Sequence, residues 1–303
     1  MRSILVSGSH GLIGSALARA LSSGGDRVVP LVRPASAPTP QGLVWDPAAG
    51  RVDAGGLEGL DAVVHLAGES IAGGRWTAAR RDRIRRSRID ATALLAGTLA
   101  RLARPPRVFV CASAVGYYGD RGDEVLHEDS GSGAGFLADL CRDWEAAASP
   151  ARAAGIRVVY ARSGTVLSTA GGMLPRVLPL FRLGLGGVLG SGAQYLSWIA
   201  LADHIGALQY LLGADGIAGP VNLVAPHAVT NREFTRALGR ALRRPTPLPV
   251  PAAALRLAFG RLADEALLAS TRVEPARLLA SGYRFRYPDL GAALAALLHR
   301  HRG

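Results

Sequence analysis

The first apolar run of the chain, Ile4, Leu5 and Val6, is short and unbroken, as in a strand buried on both faces. Gly8, Gly11 and Gly14 follow, and residues 12–21 then carry Leu12, Ile13, Ala16, Leu17, Ala20 and Leu21 at helical spacing. Further apolar runs at 27–32, 43–45, 61–66, 107–111 and 156–161 predict five more strands. Between them, 76–102 and 136–153 read as helices. Strands alternating with helices predict an α/β fold, a Rossmann-like doubly wound parallel sheet. After residue 163 the alternation breaks into Gly- and Pro-rich loops. A helix at 203–212, a strand at 220–225 and a capping box at Thr230–Glu233 opening a helix to Leu242 follow. Pro245 to Pro251 is a stiff connector. Beyond it, two or three short helices and YRFRY (283–287) complete a small, mostly helical C-terminal substrate lobe. The expected division is 1–165 for the nucleotide domain, with 195–225 returning to it, and 166–194 plus 226–303 for the lobe.

The glycine turn carries the first chemistry. A strand, a G-x-x-G-x-x-G turn and a helix N-terminus present backbone N–H groups and a helix dipole to a diphosphate. Gly8 permits the tight turn, Gly11 lets phosphates approach the backbone, and Gly14 lets helix and strand pack closely. No Gly-Lys-Ser/Thr follows, which argues against a mononucleotide P-loop. The second strand ends in Arg33, about twenty residues past the glycines, where an acid would bind the ribose hydroxyl of NAD and an arginine the 2′-phosphate of NADP. Arg33 therefore predicts NADP (NADPH). Ala67 and Gly68, after the fourth strand, are small enough for a cofactor to cross.

Charge changes the picture little. The 303 residues carry a net charge of +12, but every one of the 35 basic residues is arginine, which reads as compositional bias, and no nucleic-acid motif accompanies it. Two cysteines, Cys111 and Cys141, are too few for a disulfide framework or a zinc site and suit a reducing compartment. Residues 183–202 lack charge, but five glycines and several polar residues make them loop and strand rather than a membrane span. The first strand starts directly after Met1 and Arg2, so no leader is expected and the location is cytoplasmic. The expected partner is a small molecule, not nucleic acid or membrane, with the assembly left open between monomer and homodimer. His65 reads as a core histidine. His127-Glu128-Asp129-Ser130 and Asp203-His204 read as caps as readily as ligands, and no metal is expected.

The motifs SGSHGLIGSAL (7–17), LAGESIAGGRW (66–76), SRIDAT (87–92), SAVGYYG (113–119), LCRDWEAAA (140–148), RSGTVLS (162–168), FRLGLGG (181–187) and VAPHAVTNREF (224–234) resemble the extended short-chain dehydrogenase/reductase superfamily. Within it they resemble the NADP-binding "epimerase family" group, with relatives in bacteria, human and plastids, whose small appended C-terminal domain matches LPVPAAALRLAFG and GYRFRYPDL. The resemblance implies cofactor contacts from Gly8, Ser9, His10, Gly11, Leu12, Ile13, Gly14, Arg33, Leu66, Ala67, Gly68, Arg88, Ala112 and Val166. Most of the superfamily uses a Tyr-x-x-x-Lys dyad. This chain has no lysine, and aligning Glu145 with the family's acidic residue puts Leu137 and Cys141 at the dyad positions. Arg142 is adjacent but cannot serve as a base. Ser113, Tyr118 and Tyr117 remain as candidate catalytic residues, and Cys141 is expected to be inert. Two functions stay open: an NADP-dependent epimerase- or reductase-like enzyme acting on a small polar, sugar-nucleotide-like substrate, or a non-catalytic NADP-binding sensor or regulator.

Overall fold

A computed structural model describes residues 1–34 and 42–299. The proline-rich stretch expected at 34–42 lies, apart from its ends, outside the described residues. The first apolar run forms β1 (Ser3–Ser7), and the helical pattern after the glycines forms α1 (Leu12–Ser23). β2 (Arg27–Val32), β3 (Leu43–Asp46), β4 (Arg51–Val52) and β5 (Ala62–His65) follow. Then come α2 (Ala78–Leu99), β6 (Val108–Ala114), β7 (Val125–Leu126), α3 (Phe136–Ala146), α4 (Ser149–Ala153) and β8 (Arg157–Ser163).

The main sheet has eight strands in the order β12-β8-β6-β5-β1-β2-β3-β4, where β12 is Gly219–Leu223. All pairs are parallel except β3 with β4. The strand order reverses between β1 and β5, so the crevice a doubly wound sheet offers to ligands opens beyond Ser7 and His65. Ile4, Val6, Val64, Val110 and Val159 point to one face and meet Leu17 and Leu21 of α1; Leu5, Val63, Phe109 and Val158 point to the other and meet Leu95 and Leu99 of α2. Burial on both faces explains why these strands read as continuous apolar runs.

The chain then adds β9 (Thr165–Leu167), α5 (Leu174–Arg182), β10 (Tyr195–Leu196), β11 (Trp198–Ala200) and α6 (Leu201–Gly213). After β12 come β13 (Val229–Thr230), α7 (Asn231–Leu242), α8 (Ala252–Phe259), β14 (Arg272–Val273), α9 (Ala276–Ala280) and α10 (Leu290–His299). Thr230 and Glu233 make the expected capping box. The helix expected over 136–153 is two helices, with Pro150 in the first turn of the second, where its missing N–H costs nothing. YRFRY adopts no regular element; instead the Asp203 carboxylate accepts the N–H groups of Arg286 (2.6 Å) and Tyr287 (2.9 Å) and ties this segment to α6. No helix among the described residues is long and apolar enough to cross a membrane.

Candidate functional site

The turn after β1 is a cradle that side chains would fill. Gly8 has φ +67°, and a Cβ there would stand 2.9 Å from the backbone of Leu66 and Ala67. A Cβ on Gly14 would stand 2.2 Å from the Gly8 carbonyl oxygen, so only glycine lets α1 lie this close to β1. Gly14→Ala is accordingly expected to destabilise the fold by about 1–3 kcal/mol in urea titration, the usual cost of overpacking. Gly11 caps α1 without any side-chain hydrogen bond, leaving the first-turn N–H groups open. Beside them the Ser9 hydroxyl is buried without a partner. His10 is exposed; Leu12 and Ile13 are half-buried, and the Leu12 side chain lies against Gly171 and Gly172. Val166 and Ala112 are half-buried on β9 and β6.

One support of this crevice was missed by sequence reasoning. Ser7 Oγ accepts the N–H groups of Leu66 (3.0 Å) and Ala67 (3.2 Å), so its own proton goes to His65 Nδ1 at 2.7 Å. The pair fixes the Leu66–Ala67 backbone against the glycine turn. Burial pushes His65 down to about 4.

Two arginines face this region without carboxylate partners. Arg33 is exposed at the end of β2 and has no ion pair among the described residues. Arg88, on α2, is half-buried; it donates weakly to Ile84 O (3.3 Å) and Ser87 Oγ (3.4 Å) and lies 5.1 Å from the Trp144 ring. Its guanidinium carbon is 3.2 Å from where a Cβ on Gly68 would stand, and burial pulls its pKa below the ordinary value. The Glu69 carboxylate acts on it only from beyond ion-pair distance, and a desolvated cation without a contacting anion is costly until one completes it.

At the end of β6 the candidate catalytic residues meet a buried network. Arg162 of β8 forms a two-pronged ion pair with Glu145 of α3, both contacts 2.8 Å. Ser113 Oγ donates to the same carboxylate at 2.7 Å. Arg162 also donates to the Tyr118 hydroxyl (3.0 Å), which donates to Asn222 Oδ1 (2.7 Å). Glu128 Oε1 in turn accepts the Asn222 N–H at 3.0 Å. Tyr118 is 0 % exposed, and burial raises its pKa. Tyr117 differs: it is half-buried, its ring lies 3.5 Å from the Arg162 guanidinium carbon, and its hydroxyl has no partner among the described residues. Ser113 and Tyr118 are thus joined through Glu145 and Arg162, while Tyr117 stacks on the network with its hydroxyl unengaged.

The dyad positions are apolar. Leu137 packs with Trp76, Ile84, Leu140 and Leu262, and Gly116 crosses so close that a Cβ on it would be 3.2 Å from Leu137 Cβ. Burial pushes the Cys141 thiol up to about 12, away from nucleophilic reactivity. The Leu137 N–H is capped at 2.9 Å by Glu265, reaching in from the C-terminal segment. Elsewhere, His204 Nε2 meets Ser163 Oγ at 2.8 Å, Ser130 closes a turn with the His127 N–H, and Asp129 pairs with Arg277. Among the described residues no cluster of His, Cys, Asp and Glu could hold a metal.

The sequence and the fold match a known group over nearly the whole chain. The sequence profile of the NAD dependent epimerase/dehydratase family matches residues 4–223. The chain belongs to that family. A second profile, a domain of unknown function, matches residues 250–297. An "epimerase family protein" of Mycobacterium tuberculosis is 48% identical over 96% of both chains. Human "epimerase family protein SDR39U1" is 39% identical over 97% of this chain and 99% of its own. The crystal structure of human SDR39U1 (isoform 2) with NADPH superposes with a TM-score of 0.88 at 36% identity, covering 98% and 99% of the two chains. A structure described as the nucleoside-diphosphate sugar epimerase from Corynebacterium glutamicum gives 0.82 at 38% identity, covering 98% of this chain and 58% of that one. The family and the Rossmann-like fold expected from the motifs are therefore established.

Proposed function

We propose that the chain binds NADP(H) across the crevice between β1 and β5 and uses it in a redox or epimerisation step on a small polar, sugar-nucleotide-like substrate held under the lobe formed by 166–194 and 226–303. The observation that carries this reading is Arg88: a guanidinium in contact with no carboxylate, set against Gly68, next in sequence to the Leu66–Ala67 backbone that meets Gly8 of the glycine turn, where α1 has no side-chain cap and the Ser9 hydroxyl is orphaned. These are groups lacking an anion, and the solved human relative is described with NADPH. Gly8 to Gly14 would hold the diphosphate, Arg33 the 2′-phosphate, and Arg88 with Leu66, Ala67, Ala112 and Val166 the remainder of the dinucleotide. The bound nicotinamide supplies hydride chemistry. Arg88→Gln is expected to weaken NADPH binding by roughly ten- to hundredfold, the loss of a charge-assisted contact, as read by isothermal titration. Unchanged affinity would remove Arg88 from the site.

For proton transfer, Tyr117 is the residue this reading favours. Ser113 and Tyr118 already spend their hydroxyl protons inside the network, on Glu145 and Asn222. Tyr117 keeps its proton free, and its ring is held flat by Arg162. Tyr117→Phe is expected to lower NADPH-dependent turnover of a carbonyl panel by a factor of about 10²–10⁴, the usual worth of a positioned acid. Tyr118→Phe should act mainly on stability; the reverse ranking would return the role to Tyr118.

A second reading is favoured by Leu137 and Cys141: with the dyad positions apolar, the chain binds NADPH as a sensor without turnover. Saturable binding with no oxidation of NADPH by any carbonyl would select it. Both cysteines are free and buried, which suits the reducing cytoplasm we assign to the protein.

A further inference from the structure

Helix α7 buries Phe234, Thr235, Ala237 and Leu238 and turns Arg236 and Arg240 outward, one helical turn apart. The chain then doubles back against Gly239, where a Cβ would stand 2.7 Å from Thr246 Cγ2 and 2.9 Å from the Arg244 carbonyl oxygen. This return brings Arg243 and Arg244 beside Arg236 and Arg240 around a groove of about 360 Å³, completed by Gly239, Pro245 and Thr246. No carboxylate lines it, and among the described residues none of the four guanidiniums has an ion pair. The last-turn carbonyls do not compensate: Arg240 O and Gly239 O accept the N–H groups of Arg243 and Arg244 at 3.0 and 2.9 Å. A helix C-terminus accounts for one cation, and Arg240 already fills that place.

The backbone adds a second, independent observation. Arg243, the residue that ends α7, has φ +55°, and it is the sole non-glycine residue with a left-handed backbone among the described residues. Glycine or asparagine normally takes this position, because a Cβ is strained there. An arginine kept in an unfavourable conformation, beside three like charges, points to a counter-charge that the chain itself does not supply.

We propose that this groove is a binding site for clustered phosphates, carried either by a soluble di- or triphosphate or by a phosphorylated lipid headgroup, separate from the dinucleotide cradle. Four guanidiniums around one groove offer paired N–H donors to several phosphate oxygens at once, a geometry ammonium groups do not reproduce. The groove is shallow and open to solvent, so its grip on a ligand rests on charge rather than on enclosure. The groove belongs to the α5, α7 and α10 packing unit, whereas the cradle belongs to β1, β5 and α1.

The test uses the full chain in two arms: isothermal titration with inorganic tripolyphosphate, and sedimentation with phosphatidylcholine vesicles with and without phosphatidic acid. Binding is expected in the first arm if the source is soluble, and to the phosphatidic acid vesicles alone if it is a headgroup. In whichever arm binds, Arg243→Gly should weaken binding roughly tenfold or more, with Tm unchanged or raised, because glycine relieves the backbone strain. The Arg236→Gln, Arg240→Gln double variant should behave likewise, and Arg88→Gln, which alters the cradle, should leave this binding intact. Absence of binding in both arms, retention of binding in Arg243→Gly, or its loss in Arg88→Gln would each overturn the proposal. The last result would assign the phosphates to the dinucleotide site.

Discussion

Arg162→Met is expected to destabilise the protein by about 3–5 kcal/mol, the cost of stranding one partner of a buried ion pair. Glu145 would keep its charge with only the Ser113 hydroxyl beside it, and the Tyr118 hydroxyl and the Glu128 carbonyl would each lose a donor. The effect is separable from lost packing, because methionine fills much of the same volume. The Arg162→Met, Glu145→Leu double variant should recover much of the loss, since replacing both partners with apolar groups removes the desolvated charge altogether. Urea denaturation followed by tryptophan fluorescence checks both, with Trp144 on α3 as a local reporter. A single-variant cost below about 1 kcal/mol would mean that Glu145 finds water or becomes protonated, and the buried network would not stabilise the fold.

The second large effect is acid lability. His65 and His204 are both fully buried and neutral, and burial holds each down at about 4 against an ordinary value of 6.5. A histidine whose folded pKa is depressed favours the folded state fully above its unfolded value. As pH falls below about 6.5 the unfolded chain takes up protons that the folded chain refuses. Stability is therefore lost between about 6.5 and 4, and the loss levels off once the folded histidines protonate. A shift of this size corresponds by linkage to roughly 3 kcal/mol per histidine. Urea midpoints measured from pH 7 to pH 4 should fall steeply, and His204→Gln should flatten about half of the slope. A pH-independent midpoint across that window would contradict the burial of both rings.

The expectations drawn from the sequence succeeded where the physics is local. Apolar runs marked the strands of the main sheet except the two-residue β4, because the central strands are buried on both faces, and Gly8 and Gly14 marked the turn because a Cβ on either would stand 2.9 Å or less from backbone atoms. The pairs β9 with β11, β10 with β13 and β7 with β14 left no trace, being two or three residues long and joined across distant segments. The network around Arg162 was invisible for the same reason: Tyr118 and Asn222 are 104 positions apart, and Glu128 and Asn222 are 94. One signal was nonetheless present. Arg162 follows VVYA in a strand buried on both faces, and Glu145 follows the buried Trp144 on the core side of α3; charges in such places require partners. Pattern alone could not tell which of two adjacent tyrosines turns inward, and that choice decides which hydroxyl is free.

The measurement closest to the central claim is a titration of the purified chain with NADPH and with NADH, repeated on Arg33→Asp. The account predicts saturable one-to-one binding, a clear preference of the native chain for NADPH, and a preference narrowed or reversed by the aspartate. No saturable binding of either nucleotide, or a preference that survives the loss of Arg33, would contradict it.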